Sequence, residues 1–323
     1  EGVTGMTDAE KITMVQVLVE NDADATVEIV PVYLTLALNT MLERLGIDYF
    51  DVFFVHNINV PWLKLAEEHN SFAYIKNMKE KGIAKKIGIS FHDNAELLEK
   101  FLDKYADILD IVQLELNYLD WEDPAIEAHK CYDLCVKHGL DVYVMEPLKG
   151  GVIVNQPESI NDDFKAFDPN KSIASFAMRF CASLEHVKMV LSGMNKMEDL
   201  LDNIDTFENF EPLSEEEHEF LLEEADKLRE NLAVPCSECG YCLKACPLEI
   251  PIPEYFRLYN HHKVQKESNI YRLYYDKLGE EKVPASDCTQ CETCIDYCTQ
   301  KINIPEKLEE VCEHFQEGFS PYE

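Results

Sequence analysis

The chain has 323 residues, 46% of them hydrophobic, enough for one large domain with a real core and a second, smaller one. Its 62 acidic residues outnumber 29 basic ones, for a formal net charge of −33, which excludes nucleic acid and an anionic membrane as partners because both need basic patches. The sequence contains no signal peptide and no apolar run of membrane length, so a cytoplasmic protein with a solvated acidic surface is expected.

Residues 1–40 read differently from the rest. Ile12–Val19 is β-rich, Asn21–Ala25 predicts a turn, and Thr26–Val32 predicts a second strand. From Leu34 to Leu45 apolar positions recur at helical spacing and stop at Gly46. A regular alternation then begins. The continuous apolar run Tyr49–Val55 predicts a buried parallel strand, and Ser71–Lys81 a helix stopped by Gly82. Four more units follow: strand Lys86–Ser90 with helix Asn94–Tyr105, strand Ile111–Leu116 with helix Pro124–His138, strand Asp141–Met145 with helix Ser172–Leu184, and strand Val187–Leu191 with helix Lys196–Ile204. Five strand–helix units in a row predict a parallel sheet with helical crossovers.

An open doubly wound sheet and a closed barrel both fit that order. Polar residues favour the barrel, because each strand ends in them: His56-Asn57, Ser90 through Asp93, Asn117, Glu146, and Ser192-Gly193. In an eight-stranded barrel such ends converge on one site. No G-x-G-x-x-G follows a strand, so a Rossmann phosphate turn is unsupported. Ser214, with Glu217 three residues on, predicts a capped helix running to about Leu232.

Twelve cysteines follow an unusual distribution. Cys131, Cys135, Cys181 and Cys312 are scattered, whereas Cys236, Cys239, Cys242 and Cys246 form C-x2-C-x2-C-x3-C before Pro247. Cys288, Cys291, Cys294 and Cys298 repeat the spacing, each 52 residues after its counterpart. Ile252-Pro253-Glu254 recurs as Ile304-Pro305-Glu306 at the same offset, so the segment is an internal duplication whose unit is a metal-ligand set. The spacing matches the bacterial ferredoxin run for [4Fe-4S] clusters. By that pattern Cys236, Cys239, Cys242 and Cys298 hold one cluster, and Cys288, Cys291, Cys294 and Cys246 the other. Paired zinc sites are the bland alternative, but tetrahedral zinc leaves the third cysteine of each tight run without a role. Disulfides would crowd these side chains. Reduced thiols and clusters point to a reducing cytosol. The tyrosine-rich stretch between the sets (Tyr255, Tyr259, Tyr271, Tyr274 and Tyr275) is read as helices shielding the clusters, with ordinary packing as the alternative.

Residues from about 41 to 311 resemble the aldo/keto reductase family, in the subgroup with a C-terminal ferredoxin-like domain. The matching stretches are Leu42–Tyr49, Val55-His56, Ile87–Asp93, Asn117–Asp120, Met145–Gly151, Val190–Met194 and Cys246-Pro247, in that order. The resemblance implies a (β/α)8 TIM-type barrel, incomplete at its N-terminus, over 1–232, and a small, mainly helical ferredoxin-like domain over 233–323. It also implies NADPH-dependent carbonyl reduction. His56 matches the histidine that binds the substrate carbonyl oxygen, a role suited to an imidazole N–H. Gln113 matches a residue contacting the nicotinamide carboxamide, and Ser90 lies near the second such contact. Asn117 lies in the same mouth. Asn203 matches an asparagine near the adenine, and Ser192, Gly193 and Met194 occupy the loop after the last strand, where barrels often bind phosphate.

The departures from the family are specific. Its catalytic Asp and Tyr belong to a D-T-A-x-x-Y-G segment and its Lys to A-T-K; neither occurs here. Residues 1–30 are too few for three strand–helix units of about 30 residues each. Tyr33 and Lys11 are not in matching contexts. Met145 stands where many members have a stacking tyrosine, and the last loop carries Lys196 but no arginine for a 2′-phosphate. A shortened barrel, a diverged first third, a remnant that scaffolds the clusters, and closure by a partner's strands all fit.

Two functions are therefore expected to compete. One is an iron–sulfur oxidoreductase acting on a small carbonyl-type substrate, using NADP(H), NAD(H) or a flavin, with two [4Fe-4S] clusters exchanging electrons with a ferredoxin-like carrier. The other is a non-catalytic electron-transfer or scaffold subunit on a degenerate barrel. Neither substrate nor oligomeric state can be read from the sequence.

Overall fold

A computed structural model describes residues 14–17, 30–156, 158–264 and 270–316. They pack as two compact units. The first holds the chain up to Glu115 together with Glu127–Met145 and Glu185–Leu191; the second holds Leu116–Ile126, Glu146–Leu184 and the chain from Ser192 onward.

The first unit is a parallel sheet of six strands in chain order: β1 (Met14–Val17), β2 (Phe50–Ile58), β3 (Ala84–Phe91), β4 (Ile111–Glu115), β5 (Asp141–Met145) and β6 (Val187–Val190). Among the described residues β1 and β6 do not pair, so the barrel is not closed. Its helices are α1 (Val30–Leu45), α2 (Val60–Glu68), α3 (Ser71–Glu80), α4 (Ala95–Tyr105) and α5 (Ala128–Lys137). The strand expected over Thr26–Val32 lies partly outside the described residues, and from Val30 the chain is already helical. The expected turn at Asn21–Ala25 and Lys11 also fall outside them. Helix α2 was not anticipated from the sequence: its start is set by Asn59, whose side chain accepts from the Trp62 N–H, followed by Pro61 in the first turn. α5 begins four residues later than its Pro124 expectation, because Asp123 caps an intervening turn by accepting from the Ala125 and Ile126 N–H groups.

One face of this sheet stacks Val52, Phe54, Ile111 and Tyr143, with Met189 against them. Register makes this a layer, since Gly88 pairs with Ile111 and Tyr143 with Met189. A Cβ on Gly88 would stand 2.4 Å from the Ile111 carbonyl and 2.7 Å from the Phe54 ring, so only glycine lets that ring in. Two residues further along β3 and β4, the next layer on the same face is polar: Ser90 opposite Gln113.

The second unit contains α6 (Glu158–Phe167), α7 (Ile173–Ala182), α8 (Met197–Glu208), α9 (Glu215–Asn231), α10 (Tyr241–Ala245), α11 (Ile252–Val264), α12 (Ile270–Glu281), α13 (Thr293–Asp296) and α14 (Ile304–Gln316). α6, α7 and α9 share an aromatic core in which Phe167 stacks on Phe220 at 4.2 Å and Phe164 meets Phe176 and Phe220 edge-on or tilted. α11 and α14, both 13 residues long, occupy equivalent places in the 52-residue repeat. The repeat extends to the backbone: left-handed residues Glu238, Gly240 and Glu249 recur as Gln290, Glu292 and Lys301. Where the two helices meet, His262 Nδ1 lies 2.7 Å from His314 Nε2, again 52 residues apart. Val234, Tyr255, Phe256, Ile304, Leu308 and Val311 are buried in the core that these helices share. Asn260 pins the chain entering the cysteine segment, accepting from the Val234 N–H and donating to its carbonyl. No described helix is long and apolar enough to cross a membrane.

The expected capping box at α9 is present, with Ser214 and Glu217 bonding each other's backbone N–H. Glu217 also receives Arg179 from α7 in a bidentate, buried pair at 2.6 and 2.8 Å, and Lys171 at 3.1 Å. Burial alone would raise this carboxyl, but the bonds from Arg179, the Ser214 backbone and Lys171 outweigh it and hold it down at about 2. Because the folded chain binds this proton less readily than the unfolded one, the contribution is full above the ordinary carboxylate value and is lost as pH falls through about 2. Glu217→Gln keeps the shape and the cap but removes the charge. We expect it to lower the unfolding free energy by about 2–4 kcal/mol at neutral pH. Denaturant titrations at a series of pH values should show that deficit shrinking towards acid; a deficit independent of pH would assign the loss to packing instead.

Candidate functional site

In the first unit, β2 carries His56 to its C-terminal end, where the chain turns through Asn57 at φ +59°. His56 lines a hollow of about 380 Å³ with Val55, Asn57, Ile58, Trp62, Leu65 and Ala66. Burial lowers its pKa, so the ring is neutral at neutral pH and has one N–H to donate. The His92 ring stands edge-on to it, 6.1 Å between centroids. Ser90 is fully buried, and its Oγ accepts the Asn57 N–H at 2.7 Å. That bond uses an acceptor site and leaves the hydroxyl hydrogen able to donate. Gln113 is buried beside it, its amide 3.4 Å from Met145 Sδ. The structure thus brings His56, Ser90 and Gln113 to one end of one sheet.

In the second unit, Ser192 Oγ accepts from Asn203 Nδ2 at 3.0 Å, tying the start of the Ser192–Met194 loop to α8. Gly193 has open space where a Cβ would point, and Met194 is exposed. The first turn of α8 carries Glu198 and Asp199.

The eight clustered cysteines line two hollows in the same unit. One is lined by Cys236, Cys239, Cys242 and Cys298; the other by Cys246, Cys288, Cys291 and Cys294. Each hollow therefore draws three cysteines from one tight run and one from the other. Among the described residues no three His, Cys, Asp or Glu side chains converge tightly enough to hold a single metal ion. Four thiols lining each hollow, three from one run and one from the other, match the four-thiolate ligand set of an iron–sulfur cubane. Burial pushes the Cys236 and Cys242 thiols up to about 12 and the Cys294 thiol up to about 11. Such thiols become thiolates only with a cation beside them, so the cysteine sets suit iron and metal loading would release protons. Cys131, Cys135 and Cys181 are buried, well away from thiolate character.

One further constellation was not singled out from the sequence. After β5 the chain passes through Glu146, Lys149, Gly150 and Gly151, all at positive φ. Lys149 is 1% exposed, its ammonium 2.5 Å from Asp120 Oδ1 and bonded to Gln300 Oε1. Asn117, read from the sequence only as a mouth residue, orients this pair: its amide donates to Asp120 at 2.7 Å and to the Glu146 carbonyl at 2.9 Å. The only hint was a lysine embedded in Leu148-Lys149-Gly150-Gly151; its partners lie 29 and 151 residues away.

Comparison with known proteins places this geometry. The family model described as the aldo/keto reductase family matches residues 9–225. The chain belongs to that family. A second model, a 4Fe-4S dicluster domain, matches residues 235–302. An aldo-keto reductase of Mycobacterium avium is 25% identical over 167 residues, 52% of this chain and 53% of its own length. A protein of Escherichia coli named NADH-specific methylglyoxal reductase is 33% identical over 114 residues, 35% of this chain and 32% of its own. The chain spans about half the length of the first of these curated relatives. Among solved structures, an aldo-keto reductase of Bacillus halodurans aligns with a TM-score of 0.50 at 17% identity, covering 66% of this chain and 71% of that one. One from Brucella melitensis gives 0.51 at 20%, covering 68% and 76%. At such identities these likenesses show the fold, a TIM barrel in kind.

Gly150 is the tightest point of the cysteine unit, since a Cβ on it would stand 2.2 Å from the Ser237 carbonyl, and its φ of +60° disfavours any L side chain. Gly150→Ala should displace Ser237 and its neighbour Cys236. The expected result is iron content falling towards half the parent value, read by metal analysis of the folded protein; full iron content would show that the loop yields without disturbing the hollow.

Proposed function

We propose that this member of the aldo/keto reductase family is an iron–sulfur oxidoreductase that interconverts a small carbonyl compound and its alcohol, with NADH as the nicotinamide donor and two [4Fe-4S] clusters linking it to a one-electron carrier. The observation that carries this reading is the coexistence in one chain of a neutral, half-buried His56 at a strand end and two four-cysteine hollows of crossed origin. We place the boundary between the reductase-like and cluster-binding parts near residues 232 and 233, between the two family matches.

His56 would donate its N–H to the substrate carbonyl oxygen, polarising the carbon. Ser90, with its hydroxyl hydrogen unused by Asn57, and Gln113, its register partner, would orient a nicotinamide carboxamide. By family match, Ser192, Gly193, Met194 and Asn203 are proposed as nucleotide contacts. A nicotinamide supplies two electrons as hydride, whereas each cluster exchanges one at a time. The preference for NADH over NADPH rests on charge. Glu198 and Asp199 occupy the first turn of α8, no arginine lies between Ser192 and Asn203, and a 2′-phosphate there would meet carboxylates. The methylglyoxal reductase of Escherichia coli, NADH-specific by its name, fits the same substrate class. A net charge of −33 favours a ferredoxin-type carrier that presents a basic face.

The second reading, an electron-transfer or scaffold subunit without its own carbonyl chemistry, is favoured by the open sheet, in which β1 and β6 do not pair among the described residues. An anaerobic titration separates the two. Purified protein with iron and sulfide counted receives NADH, then NADPH, with dithionite as control, while the broad visible absorbance of the clusters is followed. Bleaching by NADH in both the parent and His56→Ala, with bleaching by the alcohol plus NAD+ lost in His56→Ala, is the expected result; bleaching by dithionite alone would leave the scaffold reading. The crossed ligation has its own test. Cys298→Ser should remove the spectroscopic signal of the cluster held by Cys236, Cys239 and Cys242, and loss of the Cys288–Cys294 signal instead would refute it.

A further inference from the structure

The two cysteine hollows are equivalent by sequence repeat but not by surroundings. Ser237, Gly240 and Gln300 beside the first correspond, 52 residues apart, to Thr289, Glu292 and Leu248 beside the second. Gln300 is 5% exposed and receives the buried ammonium of Lys149; its counterpart Leu248 is 37% exposed and apolar. Glu292, in contrast, is an exposed acidic residue in the lining of the second hollow, at the position where the first has only Gly240.

The loop bearing Lys149 touches the first hollow at both ends of its ligand set. Gly150 packs its backbone on Ser237, next to Cys236, and Lys149 holds Gln300, two residues beyond Cys298. Thr299 completes the contact with its Oγ1 3.7 Å from Cys239 Sγ. The Lys149–Asp120 pair is neutral overall, so its influence depends on its orientation. The ammonium is the member bonded to Gln300, a residue of the hollow's own lining, whereas Asp120 is bonded to Asn117, which does not line it. A positive end aimed at a cluster stabilises its reduced, more negative state, and in a buried setting water does not screen it. Two left-handed non-glycine residues, Glu146 and Lys149, are retained to form this loop, and that strain is offset by the network it completes.

We infer that the Lys149–Asp120–Gln300 network makes the clusters unequal: it seats the crossing ligand Cys298 and raises the reduction potential of the first cluster above that of the second, on which Glu292 acts in the opposite sense. Lys149 is thus a positioning residue of the redox centre. The first electron taken up by the domain then resides on the cluster of Cys236, Cys239, Cys242 and Cys298. This inference rests on the two-cluster reading above.

The test is an anaerobic redox titration of the holoprotein with dithionite, followed by electron paramagnetic resonance, after iron has been counted. About eight irons per chain are needed for two cubanes; about four would defeat the two-cluster reading, whereas about eight with a single unsplit reduction wave would defeat this inference alone. Two waves are expected, the higher-potential one being that missing from Cys298→Ser. Lys149→Met should shift that wave to lower potential and leave the other in place, and Lys149→Arg should restore most of the shift. Movement of both waves, or of neither, would overturn the proposal. Should Lys149→Met fail to assemble because Asp120 is left unpaired, Glu292→Gln gives an independent reading from an exposed position: it should raise the lower wave alone and narrow the gap. An unchanged gap in that variant would overturn the assigned charge asymmetry.

Discussion

The geometry of the cysteine segment depends on a constraint of reach. Three cysteines at C-x2-C-x2-C can face one hollow, but the fourth, three residues further, is carried away by the turn that follows. Each hollow is therefore completed only when the other half of the repeat is in place. This makes the segment between the two runs a structural requirement. α11 and α12 must return the chain so that Cys288 to Cys298 meets Cys236 to Cys246, and the core of Tyr255, Phe256, Ile304 and Val311 fixes that return. Loss of the helices between the runs would disturb both hollows at once.

Membership in the aldo/keto reductase family combines with marked departures from it. The strand ends that hold His56, Ser90 and Gln113 are built as the family resemblance implies, and the alternating apolar and polar layers of the sheet face position them. The motifs that would bring a proton-donating tyrosine and its lysine are missing from the sequence. The one lysine that is deeply buried in the described chain, Lys149, is committed to Asp120 and Gln300 and not to a tyrosine hydroxyl. This buried charge is bonded to Gln300, two residues beyond Cys298.

Local features were legible and distant ones were not. β5 coincides with its expected span, Asp141–Met145, because apolar periodicity and the flanking Gly139 define it without tertiary help. The Ser214–Glu217 capping box was readable for the same reason. α2 and α6 were missed: α2 begins at Val60, within an apolar continuation of β2, and α6 is rich in Asn, Asp and Ser that read as loop. At the candidate site, His56 could be proposed from the family resemblance and the two cysteine runs from their spacing. The partnership of Lys149 with Asp120 and Gln300 could not, since its members carry no spacing signal and meet only through the folded chain. Asn117 illustrates the converse: its strand-end position suggested a ligand contact, and its amide is occupied in holding a loop.

The contact of His262 with His314 bears on how such a domain came to be asymmetric. Residues at equivalent places in a repeat that touch each other lie on a local two-fold axis, as identical residues do in an isologous dimer interface. A true dimer of half-units would be bound by that symmetry, and any substitution beside one cluster would appear beside the other. Covalent linkage in one chain removes the bond between them. It also makes assembly independent of protein concentration, because the second half is always at hand. Each half is then free to differ from the other, as Gln300 and Leu248 do, without any new fold.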